Sequence, residues 1–68
     1  MGVKGKYFII ISKDSGRALD IKGGKANSGA EVVLWDKHDH DNQVWFQDPV
    51  AGTIRSKLNR DLCLTIDG

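Results

Sequence analysis

An all-β domain, a small barrel or sandwich of short strands, is the fold class this sequence predicts. Runs of five to seven residues rich in β-branched and aromatic side chains recur along the chain. Clusters of Gly, Asn, Asp and Ser separate them. No window carries a helical period. Many short strands at such spacing suit a closed or stacked sheet.

The elements follow in order. "KYFIIIS" (6–12) is aromatic and β-branched, and "KDSG" ends it as a turn. "RALDI" (17–21) alternates apolar and polar, and the long polar stretch "KGGKANSG" follows. "EVVLW" (31–35) is the third strand, and "DKHDHDN" the loop after it. "QVWFQ" (43–47) is the fourth, turned back at "DPVAG". "GTIRSK" (52–57) and "LCLTI" (62–66), joined through "LNRD", complete six predicted strands.

A two-residue period assigns faces. Leu19 and Ile21 share one face of their strand, as do Val32 and Leu34 of the next, and this apolar set is expected to face a core. Asp20 and Trp35 then point outward together. In the fourth strand Gln43 and Trp45 share a face, Trp45 as a core residue and Gln43 bracing the hairpin, with Asn42 pointing the other way. A carboxylate and an amide beside an exposed indole suit a sugar. The apolar face of a pyranose lies on the ring, and the polar groups take its hydroxyls. The plainer reading is a solvated Asp and a core Trp.

Length and charge limit the alternatives. The chain has 68 residues, one domain at most, and a chain that short buries only about 60% of its unfolded surface. Its single cysteine, Cys63, forms no intrachain disulfide and suits a reducing compartment. A net charge of +1 with acids and bases interspersed gives no footprint for nucleic acid. No apolar run approaches the ~20 residues of a membrane helix. No signal peptide is read, and Lys6 stands where a myristoylation motif needs Ser or Thr. The expected location is therefore cytoplasmic, or secreted without a signal peptide.

The chain also echoes itself. Ser12-Lys13 answers Ser56-Lys57 at an offset of 44, and Leu19, Ile21 and Gly23 answer Leu64, Ile66 and Gly68 at an offset of 45. One full repeat over about 7–50 and a partial second over about 52–68 are expected within a single module.

The motifs "LDI", "VVLWDKHDHDNQVWF", "GTIRS" and "CLT", with Gln43-Val44-Trp45 as a Gln-x-Trp signature, resemble the ricin B-type (R-type) lectin repeat over residues 8–68. The resemblance implies a β-trefoil of three repeats and twelve strands, of which this chain holds about half. It implies galactose or N-acetylgalactosamine as ligand, no catalysis and no cofactor. It places Asp20 on the sugar hydroxyls, Trp35 under the ring, Asn42 as a second hydrogen-bonding residue, Gln43 as a supporting amide and Trp45 in the core. Lys37 and His38 fall where some members make further contacts. Thr65 stands where a second repeat would carry its acid, and Cys63 where many members place half of a disulfide, so one site per chain is expected. Repeats bury their apolar faces on neighbours, so the 68 residues are expected to form a homo-oligomer, a dimer ahead of a trimer.

Other chemistries are less well served. Asp36, His38, Asp39, His40 and Asp41 are metal-ligand types, but His-x-His in a loop lacks the spacing of a preformed tetrahedral site, and a polar turn accounts for them. Cys63 has no nucleophile motif around it and is expected to be a small buried or half-buried thiol in its strand. A trefoil module that binds protein, with Asp20 and Trp35 as the contact, is the alternative to a lectin.

Overall fold

The computed structural model describes residues 6–65. It is all-β, with five strands: β1 (Tyr7–Phe8), β2 (Ala18–Ile21), β3 (Val32–Trp35), β4 (Trp45–Gln47) and β5 (Ile54–Ser56). Strands β1, β4 and β5 form one antiparallel sheet with β4 in the centre, and β2 and β3 form an antiparallel ribbon. Two short 3-10 turns, Lys22–Gly24 and Asp41–Gln43, follow β2 and precede β4. No helix among the described residues is long and apolar enough to cross a membrane.

The predicted strand over 6–12 is divided between the two sheets. Tyr7 and Phe8 pair with Phe46 and Trp45 of β4, whereas Ile11 bridges to Ala18 beside β2. The turn after it explains the division. Ser12 N–H donates to Arg17 O at 2.8 Å and Gly16 N–H to Ser12 O at 2.8 Å, so the chain doubles back at once. The β4–β5 turn repeats this pattern, with Asp48 N–H on Thr53 O and Gly52 N–H on Asp48 O, both 2.8 Å. Gly16 and Gly52 have φ of +72° and +74°, a left-handed backbone that glycine adopts without a Cβ penalty. Asp48 Oδ1 also accepts the N–H groups of Val50 and Ala51, and these bonds, with Arg55 beside the carboxylate, hold its pKa below the ordinary value.

Two further strand expectations are corrected. The fourth strand begins at Trp45, because Gln43 lies in the 3-10 turn. Of the sixth strand the described residues form a bridge from Cys63 to Arg55, flanked by backbone bonds from Ser56 N–H to Leu62 O and from Leu64 N–H to Ile54 O, and Ile66 and Gly68 lie outside the described residues. Cys63 is exposed rather than buried, since its bridge lies beyond β5 at the margin of the sheet.

The faces of the ribbon follow the period-two reading. Leu19 lies opposite Leu34 and Ile21 opposite Val32, while Asp20 lies opposite Val33 and Ala18 opposite Trp35. Among the described residues the core is small: Ala18, Ile21, Trp45 and Phe46 are the buried apolar ones. Leu34, expected in the core, is 42% exposed. The ribbon packs on the rest of the molecule at its Ile21 end, and the Leu34 end of the same face stays open to solvent. Beyond Ile21, a concavity of about 130 Å³ is lined by Val32, Trp45, Leu62 and Leu64 among others.

Candidate functional site

The site is built on the other face of the ribbon, around Asp20. Its position in β2, between Leu19 and Ile21, carries it to the face it shares with Val33 and Trp35. The sequence reading expects an outward carboxylate, and its plainer alternative a solvated one, but Asp20 is 4% exposed. A carboxylate so buried needs hydrogen bonds to remain charged, and three side chains supply them. Asn42 Nδ2 donates to Oδ1 at 2.8 Å, Gln43 Nε2 to Oδ2 at 2.8 Å, and His38 Nε2 lies 3.2 Å from Oδ2.

Two consecutive amides reach one carboxylate because they sit in a 3-10 turn. Three residues per turn set adjacent side chains roughly 120° apart rather than the alternation of a strand. The expectation that Asn42 and Gln43 point oppositely is corrected for this reason. Asn42 Nδ2 also lies 3.4 Å from Ile21 O, tying the turn to the end of β2.

Gln43 is fully buried and every polar group of its side chain is used. Nε2 donates to Asp20 Oδ2 and to Asp36 O, each at 2.8 Å, and Oε1 accepts the His38 N–H at 2.9 Å. Gln43 thus joins β2, the loop after β3 and the 3-10 turn beneath the site, away from any ligand. Replacing it by alanine leaves a buried carbonyl, an N–H and a carboxylate each short of a partner. The expected loss is about 1–3 kcal/mol of stability, measurable as a lower midpoint in urea. A Gln43→Ala protein with the parental midpoint would show that this network does not hold the loop.

His38 has a defined tautomer. His40 N–H donates to Nδ1 at 3.1 Å, which leaves the ring proton on Nε2, facing Asp20. The rings of His38 and His40 meet edge-on with centroids 4.8 Å apart. Among the described residues, no group of three or more His, Cys, Asp or Glu side chains stands together as a metal site.

Above this network lies an open recess of about 690 Å³. Asp20, Asn42 and His38 form its polar side, and Val33, Leu34 and Trp35 its apolar side. Trp35 is 60% exposed, a large indole left open to solvent. Lys22 and Gly23, from the 3-10 turn after β2, close the remaining edge. Of the six residues singled out in the sequence, Asp20, Trp35, His38 and Asn42 line the recess. Gln43 lies below it, and Lys37 is an exposed loop residue outside its lining. The sequence reading missed Val33 and Leu34, and also Lys22 and Gly23. Val33 was legible as the residue two before Trp35, on its face. Lys22 and Gly23 required knowing that the chain turns immediately after Ile21.

The constellation is a charged acceptor held by three donors, an amide beside it and an exposed aromatic plane opposite. It contains no paired nucleophile and base. It suits binding of a neutral, hydroxylated ring with one apolar face.

The family model of the ricin-type β-trefoil lectin domain matches residues 6–68. A crystal structure of the earthworm R-type lectin C-half in complex with GalNAc is similar in fold, with a TM-score of 0.74 and 40% sequence identity. The match covers 81% of this chain and 44% of that one, so the chain spans less than half the length of that structure. On the extent of the family match, supported by this likeness in fold and sequence, the chain belongs to the ricin-type β-trefoil lectin domain family.

Proposed function

We propose that the recess binds galactose or N-acetylgalactosamine, without catalysis. The observation that carries this reading is the Asp20 carboxylate, fixed by three side-chain contacts beneath an exposed Trp35. An ionised carboxylate offers about four acceptor positions, and three are engaged, by Gln43 from below and by Asn42 and His38 at the side of the recess. The remaining one, on Oδ1, takes a sugar hydroxyl. The Asn42 amide hydrogens face Asp20 and Ile21 O, so its carbonyl oxygen is the group that accepts a neighbouring hydroxyl. The pyranose then lies with its apolar face on the indole. The earthworm lectin structure, solved with GalNAc, supports the same ligand class.

Titration with galactose, N-acetylgalactosamine and glucose tests the reading. A dissociation constant of ~0.1–1 mM is expected for the first two, about −4 to −5.5 kcal/mol, with a change in tryptophan emission as Trp35 is covered. Equal binding of glucose, or no saturable binding of any of the three, overturns it.

Multivalence is the second part of the proposal. A core of four buried apolar residues, with Tyr7, Ile11, Leu34 and Leu58 exposed and an open concavity beside Ile21 and Trp45, calls for further repeats packed against it. Expressed by themselves, these 68 residues are expected to associate as a dimer, which brings the strand count near that of a trefoil, or as a trimer with one full repeat per copy. Sedimentation at micromolar concentration distinguishes them, and a folded, cooperative monomer overturns the expectation. Several sites per particle raise binding to glycan-coated surfaces well above binding to free sugar.

A further inference from the structure

Lys22 and Gly23 form one edge of the recess and bring to it the one ammonium of its lining. Lys22 is the first residue of the 3-10 turn after β2 and lines the recess together with Asp20. It also lines a second, shallower concavity of about 380 Å³ with Lys25, Asn27 and Glu31. Lys22 thus stands at the boundary of the two. Gly23, next to it, has no side chain, a φ of +65°, and open space where a Cβ would project. Gly23 thus leaves room beside the Lys22 ammonium for a substituent on a ring held at Trp35 and Asp20.

That ammonium is available. Its partner Glu31 is 3.8 Å away, and both side chains are 66% exposed, so the pair is loose and hydrated. An ammonium has three donors, and this contact leaves capacity for another anion. Lys25 adds a second positive charge to the same concavity, against the single carboxylate of Glu31. Asp20, the other acid of the site, is buried and its carboxylate oxygens face Asn42, Gln43 and His38. The concavity that Lys22 shares with Lys25 and Glu31 holds two ammonium groups against one carboxylate, so an anion there meets a local excess of positive charge.

We infer that the recess prefers galactosides bearing an anionic substituent, a carboxylate or a sulfate, which pairs with Lys22 in competition with Glu31. The inference rests on the galactoside reading above and adds a charge preference to it.

The test is titration of the parent protein with lactose, sialyllactose and sulfated lactose, repeated with Lys22→Gln and Glu31→Gln. The readout is the ratio of acidic to neutral affinity, so that lactose serves as the internal reference for each variant. In low salt the acidic ligands are expected to bind about two- to fivefold more tightly than lactose, the range of one exposed ion pair. The preference is expected to shrink as salt screens the pair. Lys22→Gln is expected to bring the ratio to about one, and Glu31→Gln to raise it by removing the competitor. Preference for only one of the two acidic ligands supports the inference and identifies the carrier of the charge. A ratio of one in the parent, or a preference that survives Lys22→Gln, overturns it. Failure of lactose and of both acidic ligands to bind overturns the galactoside reading itself, and the inference with it.

Discussion

Replacing Trp45 by alanine is expected to remove about 3–5 kcal/mol of stability, the range for truncating a core aromatic. Trp45 is 2% exposed and lies on the central strand of its sheet, opposite Phe8 on one side and Ser56 on the other. Its Nε1–H donates to Leu19 O at 3.2 Å, which ties the three-stranded sheet to the β2–β3 ribbon. The substitution therefore opens a cavity and leaves a carbonyl without its donor. A domain of this length has a total stability on the order of 3–10 kcal/mol, so most of the native population is at stake. Trp45→Phe separates the two contributions. It keeps a six-membered aromatic ring in the core but loses the indole N–H and the ring that carries it, with an expected cost of about 1–3 kcal/mol. Urea denaturation at fixed protein concentration measures both. A Trp45→Ala protein with the parental midpoint would show that this indole does not join the two sheets.

The residues of the site differ in how readily the sequence disclosed them, for physical reasons. Asp20 and Trp35 were placed on one face because strand periodicity is local, and the Ala18–Trp35 and Asp20–Val33 register carries it through. Trp45 was assigned to the core, and its 2% exposure agrees. The burial of Asp20 is not legible in the sequence, because its donors come from 18 to 23 residues further along the chain and such closure leaves no local pattern. Gln43 was placed in a strand because "QVWFQ" has β propensity throughout. A 3-10 turn of three residues is too short to impose a periodicity of its own. The division of "KYFIIIS" between two sheets was equally hidden. It depends on the six-residue turn Ser12–Arg17, whose bonds are backbone to backbone. Leu34 was expected in the core on pattern alone, and pattern cannot report which end of a ribbon is covered.

The same network sets the outcome of removing Asp20. Asp20→Ala is expected to lower galactose affinity by about a hundredfold or more, since a hydrogen bond to a charged group contributes roughly 1.5–3 kcal/mol and the amide beside it loses its anchor. From ~0.1–1 mM, that places the dissociation constant beyond about 10 mM, at the limit of titration. The structure makes this change costly to the fold as well. The carboxylate accepts from Asn42 and Gln43 and faces His38 Nε2. Asn42 is able to turn toward water, whereas the amide of Gln43 is fully buried and loses one of its two acceptors. A stability loss of about 1–3 kcal/mol therefore accompanies the loss of binding. Asp20→Asn distinguishes the two effects. It preserves shape and one acceptor oxygen but removes the charge, and it sets an amide N–H against a donor that the carboxylate had satisfied. Binding is expected to be lost while near-UV circular dichroism still reports packed tryptophans. If the folded Asp20→Asn protein binds galactose as the parent does, the charge at this position is not what recognises the sugar, and the site lies elsewhere on the molecule.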